Sequence, residues 1–430
     1  QGEWLINRIT TNKINLLLYL ISFPFTPQNC RNYLMPSFTQ TERRASFGLA
    51  SVFSLRMFGL FVILPVVALY ADALPGGNSA ILIGLAVGIY GLTQAIFQIP
   101  LGRLSDFWGR KKTIYLGLSV FVLGSFVAAA ADSLAWLCVG RAIQGAGAVS
   151  STVIALNADL TREEVRTKSM AIIGITIGFT FILSIVLGPV LESIVGLPGI
   201  FLITAALTFL SMGVVYFYVP DPFPDLDIDS GGRKSQSAPV SMAAILSNTN
   251  LLRLDFGIFS LHGILMSMFV SLPFILRNLE GSFLSWQFYL VVMTASILIM
   301  LPLMMISERL GHRKVIFLFS IMLIAGSQTI LGFFELGYVG LGVALIIFFG
   351  AFNLLEASLP SWISRVVDQN SKGSALGVYS TSQYLGTFIG GVLGGWIYQY
   401  NSGQGVFIFC AAWALLWLIT AFGLSDSKNK

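Results

Sequence analysis

The chain is 430 residues long, 55% apolar and only 10% charged, with a mean hydropathy of +0.81. A soluble domain is roughly 45–50% apolar and about 25% charged, and a disordered chain needs still less apolar content and more charge, so both classes are excluded. Cys30, Cys138 and Cys410 are isolated in a long chain, which excludes a disulfide scaffold. What remains is an all-α polytopic membrane protein, in which the formal net charge of +5 matters through its placement beside the apolar runs.

The N-terminal stretch stands outside the membrane plan. Its apolar run, Ile14 to Phe25, is too short to span and is closed by Pro24 and Pro27. Met35 precedes the basic entry Glu42-Arg43-Arg44, so we expect the start of the protein at Met35 and treat 1–41 as an N-terminal extension.

A membrane helix needs about 20 mostly apolar residues to cross roughly 30 Å of hydrocarbon. Twelve runs qualify, near 46–71, 80–101, 112–131, 134–157, 169–191, 198–219, 253–276, 284–306, 314–334, 338–362, 374–398 and 404–424. They are too long, and lack the alternation, for an outer-membrane barrel. The one long polar connection lies between spans six and seven. It divides the chain into a six-helix bundle over 42–219, a linker over 220–252, a second six-helix bundle over 253–424 and a tail over 425–430.

The basic residues recur in every second loop: Arg103 and Arg110 to Lys112 after span two, Arg162 to Lys168 after span four, Arg233 and Lys234 in the linker, and Arg309 to Lys314 after span eight. Arg277 alone falls on the other side. The positive-inside bias then puts both termini in the cytoplasm.

Ionisable groups inside hydrocarbon face a cavity or a partner. Arg56 lies about 15 Å into span one at 1.5 Å per residue. Glu356 lies in span ten with Asn353 one turn away, Arg141 in span four and His262 midway along span seven. Arg56 and Glu356 come from opposite bundles, and a chamber at the repeat interface would expose both. In the functional reading Arg56 handles substrate charge and Glu356 or His262 carries a proton. In the plainer reading each is a paired packing residue. Tyr90 and Gln94 on span two, and Tyr379 and Gln383 on span eleven, stand four apart and so share a face. They either line the chamber or join neighbouring helices. Gly84 and Gly88 on span two, and Gly386, Gly390 and Gly394 on span eleven, form stripes that allow close helix approach.

The loop after span two reads Gly102-Arg103-Leu104-Ser105-Asp106-Phe107-Trp108-Gly109-Arg110-Lys111, and a degraded copy, Ser307-Glu308-Arg309-Leu310-Gly311-His312-Arg313-Lys314, follows span eight. With Arg141-x-x-Gln144-Gly145-x-Gly147 on span four, these elements resemble the major facilitator superfamily over about residues 42–424. The resemblance implies a fold of two pseudo-symmetric six-helix bundles. It also implies a latch in which Gly102, Asp106, Gly109 and Arg110 hold the start of span eleven, and a pair between Arg110 and Asp159. An anion near that helix start is favoured by the helix dipole. Gly188-Pro189 on span five is similar to the antiporter motif of drug exporters in the superfamily, with Glu192-Ser193 where the motif has a glycine pair.

No nucleotide-binding glycine loop is present, and the scattered His and Cys give no metal set. We therefore expect no enzyme activity, no cofactor and no nucleic-acid partner. The expected partners are a small-molecule substrate, protons and the lipid bilayer. The expected protein is a monomer in a bacterial inner membrane, a secondary transporter working by alternating access and exporting small amphipathic solutes against protons. The other readings are a proton-coupled importer of a small metabolite and a transport-inactive sensor or scaffold.

Overall fold

A computed structural model describes residues 37–72, 74–221, 242–279, 285–309, 312–367 and 372–425. The expected start at Met35, the basic pair Arg233–Lys234, Leu310–Gly311 and the last residues of the tail lie outside them.

Among the described residues the chain is helical, with no strand. Span one is α1 (Gln40–Phe61) followed by α2 (Leu64–Asp72), with a short break at Val62 and Ile63. Span two is α3 (Ala80–Trp108) and span three is α4 (Arg110–Ala129). Span four is α5 (Leu134–Ala146) and α6 (Ser150–Asp159), parted at Gly147. A long run, α7 (Glu163–Phe217), carries spans five and six. The second bundle starts with the short α8 (Met242–Ser247) and continues through α9 (Thr249–Asn278), α10 (Ser285–Arg309), α11 (Arg313–Phe333) and α12 (Tyr338–Val366). It ends with a second long run, α13 (Lys372–Phe422), which carries spans eleven and twelve.

The two long runs turn back on themselves. α7 has 55 residues, about 80 Å at 1.5 Å per residue, which is more than two crossings. Its helix is interrupted at Gly196 (φ 66°, ψ 176°). The 51-residue α13 is interrupted at Ser402 (φ 66°, ψ 179°). The same backbone conformation thus recurs in the same place of each bundle, and the described residues supply ten helices long and apolar enough to cross a membrane, two of them these long interrupted runs. Only helices satisfy every backbone group inside hydrocarbon, which is why the uniformly apolar runs take this form.

Exposed aromatic and aliphatic side chains ring the outside, Phe217 and Val339 among them, while polar side chains such as Arg56, Gln94, Arg141 and Gln144 are buried. This inverts the soluble pattern, as lipid demands.

Glycine sets how closely the bundles meet. A β-carbon on Gly84 would strike the Gly391 carbonyl oxygen, and one on Gly91 would lie 2.5 Å from the Tyr384 carbonyl oxygen. Spans two and eleven therefore touch backbone to backbone along Gly84, Gly88, Gly91, Gly391 and Gly395. The stripe Gly386, Gly390 and Gly394 faces span seven instead, against Phe259, Gly263 and Ser267. Span eleven thus carries two glycine faces, one to its own bundle and one to the opposite bundle. The contact between bundles runs from mid-membrane to the end away from the basic loops, where Gln399 accepts from the Ile81 amide at 3.3 Å. Toward the basic end, a β-carbon at Gly373 or Gly377 would meet open space.

Gly391→Leu drives a side chain into Gly84 and Gly88 and is expected to cost about 1–3 kcal/mol by overpacking. Gly377→Leu should leave stability unchanged. Thermal unfolding of the two detergent-solubilised variants checks the difference.

Candidate functional site

Arg56 is 2% exposed and its described partners are all neutral. Nη1 donates to Ser150 Oγ at 2.9 Å. Nη2 donates to Tyr90 Oη at 2.8 Å and to Gln94 Oε1. The guanidinium also lies 5.9 Å from the Tyr90 ring centroid and 6.0 Å from that of Phe121, where ring quadrupoles favour a cation. Tyr90 and Gln94, four residues apart on span two, therefore converge on one cation from span one. A buried charge without a counter-ion is tolerable only if hydrogen bonds replace its water, and span four supplies the third through Ser150.

Arg141 sits deeper in the same bundle and is fully buried. Its Nη1 donates to Gln144 Oε1 at 2.8 Å, and Gln144 in turn donates to Ser125 Oγ at 2.8 Å. The Arg141 guanidinium lies 4.9 Å from the centroid of the opposite neighbour, the Tyr90 ring. Gly145 lets this helix close onto the Tyr90 carbonyl. The span-four motif thus joins spans two, three and four and supports the Tyr90 ring.

The second bundle holds an acidic counterpart. Gln383 Nε2 lies 2.8 Å from His262 Nε2 and donates to Glu356 Oε1 at 3.4 Å. His262 Nδ1 is 3.8 Å from Glu356 Oε2. Glu356 keeps 31% of its side chain exposed. Its Oε2 and the buried Tyr379 hydroxyl have no hydrogen-bond partner among the described residues. Asn353 donates to Ser296 Oγ at 3.4 Å, within the same bundle.

The two clusters meet at adjacent residues of span eleven. Ser150 Oγ, already bonded to Arg56, lies 3.2 Å from Tyr384 Oη. The neighbouring Gln383 bonds His262 and Glu356. Phe181 of span five packs on Phe352 of span ten with centroids 5.5 Å apart, adding an aromatic contact between the bundles. Sequence reasoning missed Ser150 and Tyr384, which are too ordinary in type to stand out.

At the basic end, Arg110 bonds three groups of its own bundle: Asp106 at 2.5 Å, Asp159 at 3.0 Å and Ser105 Oγ at 2.6 Å. Asp106 is half-exposed, and its described partner is Arg110 rather than the start of span eleven. Gly102 packs on Ser151 and Gly109 takes φ +104°, the left-handed region that favours glycine. Lys111 donates to the Val219 carbonyl at 2.7 Å and pairs with Asp221 at 2.8 Å. Arg162, in the loop after span four, clasps both oxygens of Glu42 at 2.7 and 3.0 Å, and this bonding raises the guanidinium above its ordinary value. Glu42 also completes a capping box with Thr39, so the entry of span one is fixed to that loop.

The family description Major Facilitator Superfamily matches residues 48–303 and 277–430. The chain belongs to that superfamily. It is 45% identical over 390 residues to the inner membrane transport protein YajR of Escherichia coli (strain K12), covering 90% of this chain and 85% of that protein. It is 23% identical to the class H tetracycline resistance protein of Pasteurella multocida, covering 84% and 89% of the two chains. The crystal structure of a bacterial homolog of the human lysosomal transporter Spinster superposes with a TM-score of 0.71 at 12% identity, covering 91% of this chain and 98% of that one, a likeness of fold. This superfamily member is thus a membrane transporter by family, with two bundles about a shared polar seam.

Replacing Arg56 with Met removes the donor to Tyr90, Gln94 and Ser150 together. Leaving these buried groups short of a partner is expected to cost about 2 kcal/mol, seen as a lowered unfolding temperature. Replacing the exposed Arg103 with Met should not change it.

Proposed function

We propose that the protein is a secondary active transporter that couples the movement of protons to the export of small amphipathic solutes by alternating access. The observation that carries this reading is the junction at Gln383 and Tyr384. One of these neighbours contacts the proton-exchanging pair His262 and Glu356, and the other reaches the Arg56 cluster through Ser150. A change of protonation at Glu356 is therefore felt where the bundles touch. The basic end faces the cytoplasm in this reading, following the positive-inside bias, with both termini there and the protein a monomer in the inner membrane.

In this cycle Arg56 presents positive charge to the substrate, with Tyr90 and Gln94 holding it. Glu356 takes up a proton on one side and exchanges it with His262, while Gln383 holds the two groups in place by hydrogen bonds. Tyr379 supplies a hydroxyl to the same chamber, and Asn353 orients the Glu356 face. Arg141 positions Tyr90 from behind. Asp106 is the moving part of the latch: it rests on Arg110 with the basic end parted, and swings to the span-eleven helix start when that end closes. Arg110 stays anchored by Asp159. The aromatic contact of Phe181 with Phe352 suits an amphipathic cargo, and a relative named for tetracycline resistance agrees with a drug-like one.

The test is solute flux in proteoliposomes with an imposed pH gradient, using a panel of amphipathic compounds chosen from susceptibility differences between expressing and deleted strains. Gradient-dependent flux is expected, and its absence across the panel overturns the reading. Glu356→Gln keeps the shape and removes the proton site, so gradient-driven flux should fall to the level of empty liposomes while exchange without a gradient persists. Asp106→Asn should lose transport with membrane insertion intact, because Arg110 remains tied to Asp159 at 3.0 Å.

A further inference from the structure

An apolar groove of about 510 Å³ opens on the outer face of the first bundle, between the start of span one and the end of span six. Phe47, Leu210, Val214 and Phe217 form its walls. Gly48 and Gly213 remove side chains from its floor. The two glycines differ: a β-carbon on Gly48 would lie 2.9 Å from Val219, whereas one on Gly213 would meet nothing within 4 Å. Gly48 thus brings the two helices together, and Gly213 leaves unfilled depth between them. The surface faces hydrocarbon, so its natural occupant is a lipid chain.

The mouth of the groove is charged. Arg43 and Arg44 are both exposed and stand one helical turn before Phe47 and Gly48, on the same face of span one. Two of the described acids at this end are already engaged: Glu42 by Arg162 at 2.7 Å and Asp221 by Lys111 at 2.8 Å. Lys111 also holds the Val219 carbonyl at the end of span six, fixing the far wall. Two arginines therefore stand at the end of an apolar slot, and these two described carboxylates are paired with other cations. Long cationic side chains at a span end reach to the headgroup level while their stems cover apolar surface, and anionic headgroups collect there.

We propose that this groove is a binding site for one anionic phospholipid, with an acyl chain against Gly213 and the headgroup phosphate on Arg43 and Arg44. Both walls belong to the same bundle, so the lipid stays seated while the bundles move against each other, and it braces span one against span six. The site is remote from Arg56 and Glu356 and stands independently of the proposed transport reaction.

Native mass spectrometry of the purified full chain, with dioleoyl phosphatidylglycerol or dioleoyl phosphatidylcholine added in turn, tests the assignment. One phosphatidylglycerol should be retained in preference to phosphatidylcholine, and it should raise the unfolding temperature by several degrees where phosphatidylcholine does not. The exposed double variant Arg43→Gln/Arg44→Gln should lose that preference, by about tenfold or more in retention. Gly213→Leu fills the open depth and should lower retention of the lipid while unfolding at the wild-type temperature in lipid-free detergent. Equal retention of the two lipids by the unaltered protein, or unchanged retention of phosphatidylglycerol in both variants, overturns the proposal.

Discussion

A guanidinium in the middle of a bilayer has to be hydrated by the protein. Arg56 lies where neither lipid nor a carboxylate offers relief, and three neutral groups from two other helices stand in for water. The arrangement fixes the relative height of spans one, two and four, because all three must bring a polar atom to the same point. The second cation, Arg141, is held by Gln144 and by the ring of Tyr90, so one tyrosine serves both arginines, its hydroxyl to one and its face to the other. The groups around the two arginines thus form one connected network, placed by the desolvation cost of the two charges.

The second bundle is organised differently. Its buried polar groups are sparse, and Glu356 and Tyr379 keep atoms without a protein partner. In the first bundle the atoms without a partner among the described residues are donors, Arg56 Nε and Arg141 Nη2 among them, whereas the second bundle adds a carboxylate oxygen, Glu356 Oε2. The two meet through spans two and eleven, where glycine permits backbone contact and leaves few side chains to interlock. Such a seam is close yet smooth, the property required of surfaces that part and rejoin.

The plan of the molecule was largely legible in the amino-acid order, since apolar length alone marks the crossings and the basic loops mark their ends. Arg56, Glu356 and His262 were visible because charge is rare in hydrocarbon. Ser150 and Tyr384 were not, since a serine and a tyrosine in a membrane helix carry no signal until their partners, 94 and 234 residues away, are known. Periodicity found the stripe Gly386, Gly390 and Gly394, yet the interlocking pair Gly391 and Gly395 makes the contact with the opposite bundle. A helix has no preferred face until its neighbours are placed. For Asp106 the sequence suggested a partner at the start of span eleven, and the structure pairs it with Arg110 of its own bundle instead.

Gly196 and Ser402 each reverse the chain within a single residue of left-handed backbone. A hairpin with no spare length cannot let its two arms slide past one another, so spans five and six, and likewise eleven and twelve, are obliged to travel as stapled pairs. A shift of span eleven at Gln383 would therefore carry span twelve with it, tying the outer side of the bundle to the seam.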